Sequence, residues 1–163
     1  MVYLEEKWPE RSIYPSDPVD RQRCALLEDW ADESLTGPAH WAVWCRGDDA
    51  PQKLLGQIAD EHPTSGSRLQ LAIKSRMLPM IFNMLVAKRR GGPEATARYF
   101  ESQLDMLAGL LAHQPFLFGD EPTAADFAVV GQLANGLDFP GGKAVLEREH
   151  LTRMVRALLA YIQ

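Results

Sequence analysis

Six side chains in this 163-residue chain could line a cleft for a small apolar ligand. Tryptophan offers a large flat contact surface, methionine fills irregular space, and a histidine would add one polar group. The same side chains could instead pack into an ordinary core, with the histidine at the surface, and the sequence leaves both interpretations open. The six candidate pocket residues are His40, Trp41, Trp44, Met77, Met80 and Met84.

The sequence contains no nucleophile-elbow motif, paired-acid constellation or phosphate-binding loop. Its two cysteines, Cys24 and Cys45, form no CxxC motif and have no histidine at metal-ligand spacing, so we expect neither a metal site nor a disulfide. Cys24 is interpreted as a small buried apolar residue rather than a nucleophile, because nothing near it in sequence would activate a thiolate. We therefore expect no catalytic residue in this chain.

Composition narrows the class of protein and of partner. A content of 46% hydrophobic and 24% charged residues is typical of a globular domain. The net charge of -5 offers no basic field for nucleic acid or anionic lipid, so neither is expected as a partner. Glu5 and Glu6 stand where a signal peptide would be apolar, and no apolar stretch is long enough to span a bilayer. We therefore expect a cytoplasmic protein.

Helical periodicity runs through most of the chain without a strand pattern, so the sequence predicts an all-α bundle. Asp17–Pro18 is a helix start, with a cap residue and a proline at the first helical position. This helix is expected to pause or bend at Gly37–Pro38, and the FPGG run at 139–142 to break the chain before a terminal helix. The predicted core comprises Leu27, Trp30, Leu78, Phe82, Leu104, Leu107, Leu111, Phe127, Val130 and Leu137.

A long helix is predicted from about Arg68 to Arg90, kinked at Pro79 and ended by Gly91–Gly92. Its apolar residues form two stripes, which together make a broad apolar face. We therefore expect this helix to be central and buried. The first stripe is Ile73, Met77, Met80 and Met84, and the second is Leu71, Leu78, Ile81, Phe82 and Leu85.

The run PFLFGDEPTAADF contains the sharpest local signal. Thr123 and Asp126 have the spacing of a capping box, in which each side chain bonds the backbone amide of the other residue at a helix N-terminus. The helix dipole also favours a negative charge there. We interpret Thr123 and Asp126 as a structural N-cap and not as a catalytic pair.

Two segments, in matching order and separation, resemble glutathione S-transferases. FLFGDEPTAADFAVVGQL resembles the segment that opens the buried helix of that family's C-terminal domain. YLEEKWPERSIYPSDPVDRQRCALLEDWADESL resembles the passage from the end of the family's thioredoxin-like domain, through a linker, into the first helix of the C-terminal domain. The resemblance covers Val2 to about Asp138 and weakens after Gly141.

The resemblance implies that residues 1–16 are a stub of the last thioredoxin-domain helix with its linker, and that 17–163 form the helical domain. In the family the thioredoxin-like domain supplies the glutathione site, so we expect no cofactor-binding residue here, although the family implies glutathione. The helical domain supplies an apolar wall for the second substrate and part of the dimer interface. The reaction implied is thiol addition to, or exchange on, an electrophile.

Three functions are compatible with this resemblance. The chain could be the C-terminal part of a transferase, inactive by itself; a non-catalytic association module of the same fold; or a carrier of small apolar molecules. Without a thioredoxin-like domain, an apolar surface drawn from Tyr3, Trp8, Trp41 and Trp44 is expected to be bare. We therefore expect a homo-oligomer or a complex with a thioredoxin-like domain.

Overall fold

The computed structural model describes residues 2–7, 12–46, 52, 55–56, 59–60, 68–134, 136–138 and 140–162. Over these residues the chain is a bundle of α-helices without a β-strand, which confirms the predicted fold class. Residues 51–60, where Pro51 predicts the start of another short helix, lie largely outside the described residues. The helices are α1 (Val2–Lys7), α2 (Pro18–Trp30), α3 (Thr36–Cys45), α4 (Arg68–Phe82), α5 (Pro93–Leu110), α6 (Ala124–Ala134), α7 (Pro140–Leu146) and α8 (Glu149–Ile162).

Helix α2 begins at the predicted residue. The Asp17 carboxylate accepts hydrogen bonds from the backbone N–H groups of Val19 at 2.9 Å and Asp20 at 3.0 Å, and Pro18 follows it in the first turn. These bonds satisfy donors that have no partner inside the helix. Just upstream, the carbonyl of Ile13 accepts a bond of 2.8 Å from the backbone N–H of Ala124, which ties the linker to the start of α6.

The pause predicted at Gly37–Pro38 is wrong, because both residues lie inside α3. The irregularity comes earlier, in a π-helical turn at Ala31–Leu35 that joins α2 to α3, where the N–H of Thr36 bonds the carbonyl of Ala31. Proline has no N–H, and its ring crowds the carbonyl of the preceding turn. A widened turn before Pro38 accommodates that ring without ending the helix.

Helix α4 also contains a proline, Pro79, and is followed by a π-helical turn at Asn83–Ala87 and a 3₁₀ turn at Lys88–Arg90. As predicted, the helix stops at Gly91, whose φ of 86° is left-handed and therefore suits a residue without Cβ. The expectation that α4 is buried around most of its circumference is wrong. Its first apolar stripe is exposed: Ile73, Met77, Met80 and Met84.

The break predicted at the FPGG run is also wrong, because α7 starts at Pro140 and contains both glycines. Gly141 and Gly142 are buried. A Cβ on Gly141 would lie 2.8 Å from the backbone carbonyl carbon of Ala42 in α3, and one on Gly142 would overlap the backbone of Gly136 and Leu137. The glycines allow α7 to pack directly on neighbouring backbone, a close approach that their sequence alone does not reveal.

The predicted core is confirmed in its location. Leu104, Leu107, Leu111 and Val130 are buried, and the other six predicted residues are half-buried. Cys24 is fully buried, as interpreted from the sequence. The centre also includes side chains that were not predicted, in part because α8 packs its apolar face against α5, α6 and α7. Among these additional buried residues are Leu35, Phe100, Leu151, Met154, Val155 and Leu158.

Arg148, between α7 and α8, fastens the C-terminal part of the bundle to α5. Its guanidinium donates to Glu101 Oε2 at 2.9 Å and to Asp105 Oδ1 at 2.7 Å. Arg46, just after α3, donates to the other oxygen of Glu101 at 2.8 Å. Because Arg148 is only 16% exposed, this network is shielded from water more than an ordinary surface pair and holds three helices in register.

Candidate functional site

Three rings stack where α3 meets the end of α4, and we call His40, Trp44 and Phe82 the aromatic cluster. His40 and Trp44 are one turn apart on the same face of α3, and the Phe82 ring is nearly parallel to both. Its centroid is 6.4 Å from that of His40 at an interplanar angle of 16°, and 6.1 Å from that of Trp44 at 12°. All three side chains are half-buried, so the cluster presents aromatic surface to solvent while resting on the bundle.

Trp41 lies behind the cluster and only 4% of it is exposed. Its indole N–H donates to Asn83 Oδ1 at 2.9 Å, which gives the buried indole a hydrogen-bond partner and links the π-helical turn to α3. The expectation that Trp41 is on a bare surface is therefore wrong. Of the other three residues named for that surface, Tyr3 is exposed, Trp44 is half-buried, and Trp8 lies outside the described residues.

His40 has a defined tautomer in this geometry. Its Nδ1 lies 2.9 Å from the carbonyl oxygen of Thr36, and since a carbonyl oxygen only accepts, Nδ1 donates. The neutral ring then keeps Nε2 as an acceptor. His40 is thus a polar edge on an otherwise apolar stack, the arrangement expected of a group that orients a ligand.

The structure does not bring the three methionines to the aromatic cluster. Met77 and Met80 lie on the outer face of α4 and Met84 lies in the π-helical turn that follows it. They are exposed by 47%, 64% and 58%, whereas Phe82 faces inward. Together with Ile73 they form what we call the methionine stripe (Ile73, Met77, Met80 and Met84). Of the six candidate pocket residues, the structure groups His40, Trp41 and Trp44 and separates the methionines.

A second apolar feature lies between α2 and α5 and was not predicted. This apolar groove has a volume of about 350 Å³ and almost no polar lining. Two of its residues, Met106 and Leu110, lie one turn apart on α5, and neither is among the predicted core residues. That spacing is the sequence signal that could have indicated a second apolar face on this helix. The groove is lined by Leu26, Leu27, Trp30, Met106, Leu107 and Leu110.

Neither cysteine has the surroundings of a nucleophile. Cys24 is fully buried, and burial raises the pKa of its thiol, although contacts with Thr123 and the Ala125 backbone oppose the shift. Burial raises the pKa of Cys45 to about 11, and its thiol lies 3.6 Å from the carbonyl oxygen of Pro79. Both sulfurs are therefore protonated thiols at neutral pH.

We expect both thiols of the native chain to react slowly with Ellman's reagent, a disulfide, at pH 7.5. Their rate should be at least about a hundredfold lower than in the denatured chain, because only an exposed thiolate attacks the disulfide. The rate of thionitrobenzoate release, followed with and without guanidinium, checks this. A native rate equal to the denatured rate would reveal an accessible, activated thiol and contradict the interpretation.

The capping pair lies elsewhere, at the start of α6. Asp126 is completely buried; its Oδ2 accepts from the backbone N–H of Thr123 at 2.8 Å and lies 2.7 Å from the Thr123 hydroxyl. Its Oδ1 accepts from the N–H of Leu117 at 2.8 Å, which draws the preceding loop onto the helix. Burial raises the pKa of Asp126 despite these bonds. Half of the predicted capping box is therefore present, because the Thr123 hydroxyl bonds the Asp126 carboxylate and not the Asp126 amide. All of these bonds are internal to the cap and loop, so we interpret the pair as part of the fold.

The described part of the chain carries neither of two further site classes. No group of three or more His, Cys, Asp or Glu residues there is placed to hold a metal ion. Within the same residues, no helix combines the length and apolar character needed to cross a bilayer.

Comparisons with known proteins show similarity in sequence over one part of the chain and in fold over most of it. Residues 93–160 match the family model of the glutathione S-transferase C-terminal domain. No curated protein matches the chain significantly. Among solved structures the chain is similar to the beta-etherase LigF from Sphingobium sp. strain SYK-6, at 24% identity and a TM-score of 0.58 over 96% of this chain. The chain spans 65% of the length of that structure. Residues 93–160 are therefore similar to the glutathione S-transferase C-terminal domain, and the chain shares its fold with LigF.

Proposed function

We propose that the chain is the helical domain of a glutathione S-transferase-like protein and supplies an aromatic wall for the second substrate. The observation that carries this proposal is the aromatic cluster, in which three nearly parallel rings are held on the bundle and remain half-exposed. A flat aromatic substrate would extend that stack, and His40 Nε2 would accept a hydrogen bond from one of its polar groups.

Glutathione would be held and activated by a thioredoxin-like domain, and not by this chain. Three polar groups support this division: both described thiols are protonated, and the buried carboxylate of Asp126 is already used by the helix cap, so none of the three is free to hold or activate glutathione. The contribution of this domain is therefore to bind and orient the electrophile, which the sulfur of glutathione then attacks.

The test is calorimetric titration of the chain with 4-nitroanisole, a flat aromatic ether chosen because the structural relative is a beta-etherase. We expect binding that weakens at least about tenfold in Trp44→Leu, since stacking of a flat ring on one aromatic side chain is worth about 1–3 kcal/mol. Trp30→Leu, which alters a tryptophan outside the aromatic cluster, is the matched control and should bind like the wild type. Absence of binding, or an equal loss in both variants, would refute the aromatic wall.

The same proposal predicts that the chain alone does not turn over glutathione. Incubation with glutathione and 1-chloro-2,4-dinitrobenzene is expected to give only the uncatalysed rate, because the groups that activate the thiol are not in this domain. Turnover that saturates with glutathione would show that the chain contains a complete site.

A second candidate function, protein association, is favoured by a separate observation. The apolar groove and the methionine stripe both expose large apolar side chains away from the aromatic cluster, and Leu26 and Met80 are 68% and 64% exposed. Contiguous apolar patches of this kind are uncommon on a soluble monomer and mark interaction sites. We propose that this domain also assembles with other protein chains through these surfaces.

A further inference from the structure

We infer that the segment from Arg68 to Arg90 docks on the surface of an anionic lipid bilayer, with the methionine stripe entering the interface. The segment comprises α4, the π-helical turn at Asn83–Ala87 and the 3₁₀ turn at Lys88–Arg90, and we call it the basic segment. This inference goes beyond the proposed functions, because it names lipid as the occupant of the stripe and leaves the apolar groove to protein chains.

The first observation is that the basic segment exposes large apolar side chains along one face. Each member of the methionine stripe is exposed by 47–64%, and Leu85 beside it is exposed as well. The stripe faces away from the bundle, since α4 packs against α3 through its other side. At about 1.5 Å per residue, the row from Ile73 to Met84 is about 16 Å long. Apolar patches of this kind are uncommon in water and mark a surface that is covered in use.

The second observation is charge. The basic segment contains six of the chain's 17 Lys and Arg residues and none of its 22 Asp and Glu residues. At about 100° per residue, Lys74 and Arg76 lie on opposite edges of the stripe, and Lys88 and Arg89 follow its C-terminal end. These four side chains are exposed, and within the described residues none of them forms an ion pair. The stripe is therefore bordered by unpaired positive charge.

The net charge of -5 does not oppose this contact. That number averages over the whole chain, whereas a charged surface in physiological salt acts mainly on charges within a Debye length of about 8–10 Å. All of the acidic residues lie outside the basic segment, so an anionic surface attracts the segment and repels the rest of the chain. The uneven distribution of charge thus turns α4 toward such a surface.

The residue types on the exposed face favour lipid over nucleic acid or an acidic protein. Single-stranded nucleic acid is bound by aromatic side chains on which bases stack, and protein interfaces are commonly anchored by aromatic residues. The basic segment has one aromatic residue, Phe82, and it packs against α3. An aliphatic stripe with lysine and arginine on both edges is instead typical of a helix that lies in the interface of an anionic membrane.

The arrangement that follows places α4 parallel to the bilayer surface. Its apolar face would enter the boundary between headgroups and acyl chains to a depth of about 5–10 Å. The long stems of Lys74 and Arg76 would lie along the apolar boundary and carry their charges to the level of the lipid phosphates. Aliphatic burial and attraction to phosphate therefore act on the same helix face.

The first experiment is sedimentation of the full chain with vesicles at low salt. One set of vesicles contains phosphatidylcholine alone, and the other contains equal amounts of phosphatidylcholine and phosphatidylglycerol. We expect the chain to bind the anionic vesicles at least about tenfold more strongly, and added salt to weaken that binding. Equal binding to the two sets, or binding to neither, would overturn the inference.

Charge reversal locates the contact. Lys74→Glu/Arg76→Glu is expected to bind the anionic vesicles at least about twentyfold more weakly, since each Lys or Arg near such a surface contributes about fivefold. The matched control is Lys143→Glu/Arg156→Glu, which makes the same change of charge at exposed positions of α7 and α8 and should bind nearly like the wild type. A circular dichroism spectrum like that of the wild type confirms that each variant folds. Equal losses in the two variants would show that only net charge matters and would contradict docking through α4.

A neutral substitution tests entry of the stripe into the bilayer. Met80→Ser removes the most exposed apolar member of the stripe and should weaken binding to the anionic vesicles at least about threefold. Met106→Ser, which alters a similarly exposed methionine in the apolar groove, is the matched control and should leave binding unchanged. Wild-type affinity in Met80→Ser would reduce the contact to one that any polyanion makes, and the inference would be wrong.

Methionine oxidation gives a readout on the unmodified chain. Hydrogen peroxide transfers one oxygen atom to a methionine sulfur, which leaves a sulfoxide and water, and mass spectrometry of peptides identifies each oxidised residue. Anionic vesicles should slow oxidation of Met77, Met80 and Met84 at least about fivefold and leave the rate at Met106 unchanged. Protection of Met106 without protection of the stripe would place the apolar groove on the bilayer and overturn the inference.

Discussion

Replacement of Asp126 by alanine is expected to destabilise the chain by about 3 kcal/mol or more, well above the roughly 1 kcal/mol typical of a helix cap. The carboxylate is completely buried and accepts from two backbone N–H groups, those of Leu117 and Thr123. The substitution leaves both donors without a partner, and water cannot replace the lost oxygens as it does at a surface. Equilibrium unfolding in urea measures the change.

Asp17→Ala is the matched control, because Asp17 also accepts from two backbone N–H groups at the start of a helix but is exposed. We expect it to lower the free energy of unfolding by only about 1 kcal/mol. Equal losses in the two variants would show that burial of the Asp126 cap contributes nothing beyond ordinary capping.

The second large effect is expected at the contact of α7 with its neighbours. Gly142→Ala should destabilise the chain by about 3 kcal/mol or prevent folding, since the new Cβ would overlap the backbone of Gly136 and Leu137 and neither can move as a flexible side chain does. The midpoint of thermal unfolding, followed by circular dichroism, measures the loss.

Gly131→Ala is the opposite case on the same scaffold. Gly131 lies in the middle of α6 and is exposed, and the position that an alanine Cβ would occupy has no atom of a packed neighbour within 4 Å. Alanine there should stabilise the chain by about 0.5–1 kcal/mol, because glycine loses more backbone entropy than alanine on entering a helix. Destabilisation by both substitutions, to the same extent, would contradict the packing described for α7.

Local chemistry determined the helical elements and their ends. At a helix terminus several backbone groups lack partners inside the helix. Residues close in sequence supply what is missing, as at the N-cap Asp17, in the pair Thr123 and Asp126, and at the left-handed Gly91 that ends the helix before α5. The all-α class was predictable for the same reason, since the apolar period of each segment is a property of neighbouring residues.

Tertiary structure decided which apolar faces are buried. The pattern on α4 was equally compatible with burial of the methionines, and only the packing of Phe82 against His40 and Trp44 turned them outward. The apolar groove needs two helices distant in sequence, so no window on one of them could reveal it. In the sequence, Gly141 and Gly142 likewise resemble a helix break. In the structure, the backbone of α3 and of residues 136–137 occupies the space that their side chains would need. The chain's local bonds are set by residues a turn apart, whereas its binding surfaces depend on contacts between helices, and those are fixed only when the bundle closes.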